Sequence, residues 1–367
     1  MTEERTDLWR WGDVPQDGDV RPFNQLAVVR SKTNRSNRRH HFLSVTYMNG
    51  FCNVEGRLWV YRHDKPEAPH LSQPSAIGYQ NHYYSQKLPD GGIENVLYED
   101  LWGLIETVWP ETLRAIRARR LSPAISFNAL GMASLARVRV PAARECHEVI
   151  LARKLRAEAI ALERIGHLPP EWAQYAGMLD IVPVGINPQE TLRTMGQDFR
   201  AFGDLCFRLG FEIIHNKTSI PFVTSDNPVA YYDPRSRVEF RTPYGEQDPV
   251  ELIFPLDVDT LLRGSTNLMP ANVITHHREV ADPSVIRAFN RTTAQFSYRF
   301  LLSQDRSVDK LAQRHARLVP TASVDVRQTE REIKIFWKQV FGPMPRLSSF
   351  IDTPEKAARL EAQMRSG

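Results

Sequence analysis

Two adjacent histidines, His40 and His41, stand at the end of a basic run that begins at Arg30 and includes Arg35, Arg38 and Arg39. Imidazole changes charge near neutral pH, so one of this pair can act as general acid or base, bind phosphate, or ligate a divalent metal. Arg39 beside them and Arg139 further on supply guanidinium groups suited to holding a phosphate. A second constellation is Ser225-Asp226-Asn227-Pro228, which closes an apolar, strand-like stretch. Such residues form tight turns because Asp and Asn side chains bond to their own backbone. They can equally present a carboxylate and an amide at a strand tip. In that reading Asp226 holds a divalent metal (Mg or Mn) or orients a histidine, and Asn227 fixes the substrate. Asn290, in a helix with apolar neighbours, serves either as a buried anchor or as a substrate contact.

Other motifs are weaker. His276-His277 reads as surface, and zinc-type HExxH or paired CxxC spacings are missing. Ser225-Asp226-Asn227 occurs in penicillin-recognising enzymes, but the accompanying Ser-x-x-Lys and Lys-Thr-Gly elements are out of order or incomplete here. There is no phosphate loop, dinucleotide fingerprint, nucleophile elbow or kinase signature. Arg114, Arg117, Arg119 and Arg120 form a basic cluster that would extend a phosphate-binding surface or simply be solvated. Arg139 and Arg144, five apart, are not close neighbours on a helix face, which favours salt bridges.

The 367 residues are 42% hydrophobic, enough for a substantial core without disulfides. Of 47 basic residues 38 are arginine, and the net charge of +4 permits nucleic-acid binding without demanding it. Three distant cysteines, Cys52, Cys146 and Cys206, read as reduced thiols of a cytoplasmic protein. No apolar run is long enough for a membrane helix, and the N-terminus does not resemble a secretory signal.

The elements that must position these residues come in a segregated order. A short helical pattern over 42–51 and a strand over 56–61 precede helices over 94–119, with Pro110 expected to kink or break the run, and over 124–165, interrupted near Pro141. A helix beginning near Pro188 runs to about 209. Strands follow over 211–215, 221–224, 238–241 and 251–254, then helices over 283–300, 307–318 and 354–364. The fold expected is α+β: a helical N-terminal half packed on a mixed or antiparallel sheet from about 208–256 plus the 57–62 strand, with C-terminal helices. Residues 1–37 form a loosely ordered basic segment, 38–350 a single two-lobed domain, and 351–367 a C-terminal helix or tail.

Four pieces resemble the bacterial family called domain of unknown function 4238 (DUF4238). They are His40-His41-Phe42 through Tyr47 to Phe51 with the strand after it; the helix around Tyr98–Glu106 after Tyr83-Tyr84; Phe222-Val-Thr-Ser-Asp-Asn-Pro-Val229; and Phe254-Pro-Leu256 with Asn290. Arg139-Val-Pro141 stands where the family often has Arg-Thr-Pro, and Ser44 replaces a family proline. The resemblance implies a bacterial intracellular protein and carries no established reaction. The leading expectation is a phosphodiester-cleaving enzyme acting on nucleic acid, in a toxin or phage-defence setting. There His40 or His41 is the acid or base, Asp226 the metal holder, and Asn227, Arg39, Arg139 and Asn290 the substrate contacts. Two alternatives are a non-catalytic binding or sensor module, in which the motifs are structural, and a hydrolase or transferase on a small molecule.

Overall fold

The computed structural model describes residues 16–18, 20–25, 39–87, 93–94, 97–206, 208–235, 249–270, 274, 276–328 and 332–348. Apolar residues and turn signals divide the chain much as expected. The first strand, β1 (Arg39–His41), leads to a one-turn helix, α1 (Val45–Met48). Ser44 caps that helix, its hydroxyl accepting from the Tyr47 amide at 3.4 Å. Short strands β2 (Leu58–Arg62), β3 (His70–Ser72), β4 (Tyr79–Asn81), β5 (Gln86–Lys87) and β6 (Ile93–Glu94) follow.

Three long helices come next: α2 (Leu97–Arg117), α3 (Pro123–Val138) and α4 (Pro141–Arg164). Pro110 neither breaks nor ends α2, which runs through it. Pro123 and Pro141 stand at first-turn positions, where the missing amide proton costs nothing. Helix α3 is buried nearly all round, because its Ala, Gly and Ser residues let α2 and α5 (Pro188–Cys206) approach from opposite sides.

The second half is mainly strand: β7 (Gly210–Asn216), β8 (Thr224–Ser225), β9 (Ala230–Tyr232), β10 (Glu251–Pro255), β11 (Thr260–Ser265) and β12 (His276–Val280). Helix α6 (Pro283–Phe296), strand β13 (Phe300–Ser303) and helix α7 (Asp309–His315) follow. The chain then forms a long hairpin of β14 (Val319–Gln328) and β15 (Ile333–Gly342).

The α+β class holds, with a mixed sheet ordered β12-β7-β11-β10-β9, antiparallel except where β12 runs parallel to β7. The 58–62 strand lies elsewhere. It is central to a second sheet, β3-β2-β13-β8, because β13 returns from α6 to pair with it. The region expected to end in helices contains the β14–β15 hairpin, whose alternating residues have period two. The expected strand over 238–241, residues 351–367 and most of 1–37 lie outside the described residues. Trp109, Tyr47, Phe51, Phe127 and Phe254 are among the largest fully buried side chains of a core shared by the helices and the five-stranded sheet. Among the described residues no helix is long and apolar enough to cross a membrane.

Candidate functional site

The Ser-Asp-Asn-Pro motif lies in the interior. Asp226 is fully buried, and its two oxygens accept the amides of Tyr298 (2.9 Å), Arg299 (2.8 Å) and Phe300 (3.3 Å). Burial pushes its carboxyl up to about 6, with the same amides pulling it back. Asn227 donates to the Phe296 carbonyl at 2.8 Å, and its own amide is held by the Ser225 hydroxyl at 3.1 Å. Asn290 accepts from the Val223 amide (3.1 Å) and donates to the Pro221 carbonyl (2.9 Å). Together the three side chains fasten residues 221–227 to α6 and to the turn that starts β13. The carboxylate expected to hold a metal or orient a histidine is therefore spent on backbone amides, and Asn290 is spent likewise, whereas Asn227 commits only its amide nitrogen and its buried Oδ1 has no partner among the described residues.

The histidine pair divides. In β1 successive side chains point to opposite faces. His40 lies opposite Gln80 and His41 opposite Tyr79 in the β1–β4 ribbon. His40 is fully buried, stacks on Tyr84 with ring centroids 5.5 Å apart, and accepts the Tyr84 amide on Nδ1 at 2.8 Å. A nitrogen that accepts an amide must be unprotonated, so His40 is a neutral anchor rather than an acid or base.

His41 faces the other way, beside Tyr79, over whose ring the Arg39 guanidinium sits at 4.4 Å. The chain is steered into this position by Phe42 and Leu43, whose amides both donate to the Gly78 carbonyl. Gly78 has φ +66° and a Cβ there would meet the Leu43 Cβ at 3.0 Å, so the turn requires glycine. His41 donates a hydrogen bond to the Ser75 backbone, while its Nε2 is buried with no hydrogen-bond partner among the described residues. A ring protonated at Nδ1 toward Ser75 leaves the lone pair of Nε2 available as a base, and that is the tautomer taken in the reading below. Burial lowers the pKa of His41, and the positive charges of Arg139 and Arg39 act in the same direction.

Arg139 caps α3 and is almost entirely buried. It pairs with Glu106 of α2 at 2.6 Å, and its Nε is a second buried donor without a partner among the described residues. Burial would strip its proton, but Glu106 and the neighbouring acidic groups more than offset this, so the guanidinium stays charged. Glu99, seven residues before Glu106 and so on the same stripe of α2, completes the cluster. Burial pushes its carboxyl up to about 7, against the pull of Arg139 and with Glu106 and Asp100 pushing the same way. The Glu106 side chain retains 27% exposure, so this buried cluster, called the His41 recess below, reaches solvent at Glu106.

The structure therefore brings three of the expected residues, Arg39, His41 and Arg139, into one electrostatic neighbourhood with Glu106, and Arg139 also with Glu99, two acids that sequence inspection missed. Spacing was the available signal: two glutamates seven apart on one amphipathic helix share a stripe. Elsewhere the expected basic surface is partly neutralised, because Arg117 pairs with Asp257 at 2.5 Å and Arg119 pairs with Glu279. The second histidine pair is split as well. His276 is exposed, whereas His277 is half-buried and bonded through Nδ1 to His215 Nε2 at 2.8 Å. Among the described residues no group of three His, Cys, Asp or Glu side chains is arranged to hold a metal ion.

A family profile described as "Protein of unknown function (DUF4238)" matches residues 39–307. The chain belongs to the DUF4238 family. The match starts at the strand that carries His41 and ends before the β14–β15 hairpin, so it takes in both the recess and the Asp226 anchor. No curated protein and no solved structure matches the chain.

Proposed function

We propose that this DUF4238 protein is an acid–base enzyme centred on the His41–Arg139 recess, acting on a substrate that carries a phosphodiester group, with nucleic acid as the substrate class. One observation carries this reading: His41 Nε2 and Arg139 Nε are both buried without partners and belong to one electrostatic neighbourhood. Buried polar atoms are nearly always bonded, so an unpartnered base nitrogen and an unpartnered guanidinium nitrogen in one electrostatic neighbourhood support a partner supplied from outside. His41 Nε2 takes the proton from the attacking hydroxyl. The Arg139 guanidinium, with Arg39 at the rim, faces the anionic oxygens. Glu99, titrating near neutrality, is positioned to return a proton to the leaving oxygen.

The test is cleavage of RNA, single-stranded DNA and bis(p-nitrophenyl) phosphate by the purified chain, with His41→Ala alongside. Turnover that depends on His41 supports the reading, and turnover indifferent to it sinks the reading. A second reading, a binding or sensor module, draws support from the structural use of His40, Asp226, Asn227 and Asn290. It predicts saturable binding of oligonucleotide at the recess with no cleavage by the intact chain.

A further inference from the structure

The opposite face of the β1–β4 ribbon looks onto a different cleft. Gln80, which shares its face with His40, helps to line a cavity of about 270 Å³ together with His82, Arg144, Glu145, Glu148 and Arg299. This volume is slightly below the range typical of drug-sized ligands.

The two arginines differ in how their charges are met. Arg299 pairs with Glu145, whose other oxygen accepts the Tyr298 hydroxyl. Its Nη1 reaches Gln80 only at 3.4 Å. Arg144 is buried and stacks on the Tyr83 ring at 4.2 Å. Its hydrogen bonds go to the carbonyls of Tyr83 (2.6 Å) and Pro188 (3.3 Å) and to the Thr191 hydroxyl (3.0 and 3.1 Å), all neutral acceptors. A buried guanidinium bonded only to neutral groups remains attractive to an anion. Glu148 is half-buried and makes no hydrogen bond or ion pair among the described residues. Burial raises its pKa, and Arg144 and Arg299 in the same cleft pull it back, so its carboxyl lies in their field without a hydrogen bond to either. His82 adds a mark of constraint. It holds φ +58°, a left-handed conformation uncommon for a residue with a side chain, and its ring meets the Ser85 hydroxyl at 3.1 Å.

A cleft of this size with one carboxylate free of hydrogen bonds, a second paired to Arg299, and a buried Arg144 bonded only to neutral acceptors matches a ligand bearing both charges. We propose that it binds a small zwitterion of the amino-acid class, with Glu148 receiving the ammonium group and Arg144 and Arg299 facing the carboxylate. The site is separate from the His41 recess: Arg139, just ahead of α4, serves one and Arg144, in the first turn of α4, serves the other.

The test is calorimetric titration of the full chain with each standard amino acid, with butylamine and butyrate as single-charge controls. At least one amino acid should bind saturably. Both controls, and the same amino acid on Glu148→Gln, should bind at least about tenfold more weakly, equivalent to about 1.4 kcal/mol. Circular dichroism of Glu148→Gln verifies that the variant is folded. The proposal is overturned if no amino acid binds, if butyrate or butylamine binds as tightly as the amino acid, or if folded Glu148→Gln retains full affinity.

Discussion

The Asp226 anchor and the His41 recess contain similar residue types and use them in opposite ways. Around Asp226 both carboxylate oxygens and both ends of the Asn290 amide are bonded to backbone groups, and of the three anchoring side chains only Asn227 keeps a buried atom, Oδ1, without a partner among the described residues. Around His41, two buried nitrogens point at nothing within the described chain, and a glutamate sits near the midpoint of its titration at neutral pH. Saturated polar groups rigidify a fold, whereas unsaturated ones raise its free energy unless something binds. The difference teaches that the most distinctive motif in this sequence is bonded as an architectural one, and it is why the proposed chemistry is assigned to the less conspicuous histidine and arginine.

The sharpest way to break this comparison is Asp226→Ala. It leaves three backbone amides without their buried acceptor, and should cost about 3–5 kcal/mol in chemical unfolding. A loss within experimental error would return Asp226 to the list of functional groups. His41→Ala should do the reverse, lowering turnover by about a hundredfold or more while stability changes little. Equal losses of stability and turnover in that variant would make the recess merely structural. Asn290→Ala frees one amide and one carbonyl, and is expected to destabilise by about 2 kcal/mol. Its remaining activity per folded molecule should match the parent chain, and a selective loss of turnover would show that Asn290 contacts substrate after all.

The pH profile gives the finest discrimination. Glu99 must be protonated to act as an acid, so activity should fall as pH rises through about 7. His41 must be neutral to act as a base. Its lowered pKa places the acidic limb below the usual histidine value, where activity falls with decreasing pH. The interacting groups report jointly, so both limbs belong to the cluster. Glu99→Gln should abolish the alkaline limb while leaving the acidic one in place, and an unchanged alkaline limb would remove Glu99 from the reaction.

How much of this could be read in advance follows from which interactions are local. The α+β order was legible because hydrophobic period and proline position are properties of short windows. Pro110 does not break α2, since a proline within a helix is tolerated where packing holds the turn, as α3 packs along α2 here. The 58–62 strand was assigned to the wrong sheet because its partner, β13, lies more than two hundred residues away. His40 and His41 were visible as a pair. Their division into anchor and base depends on which face of β1 each occupies, and that is set by pairing with β4. The Asp226 turn was recognised as one of two readings, and the three amides from residues 298–300 that favour the structural one are more than seventy residues away in sequence. Glu99 and Glu106 went unnoticed because only the packing of α2 against the end of α3 brings them to Arg139.

The central claim is that His41 carries an available base nitrogen, and the most direct measurement is the ¹⁵N chemical shifts of its ring nitrogens in the intact chain, followed through their titration. The account predicts a neutral ring protonated on Nδ1, bonded to the Ser75 backbone, with Nε2 unprotonated and a pKa below that of an ordinary histidine. A ring protonated on Nε2, or one titrating at or above the ordinary value, would contradict it.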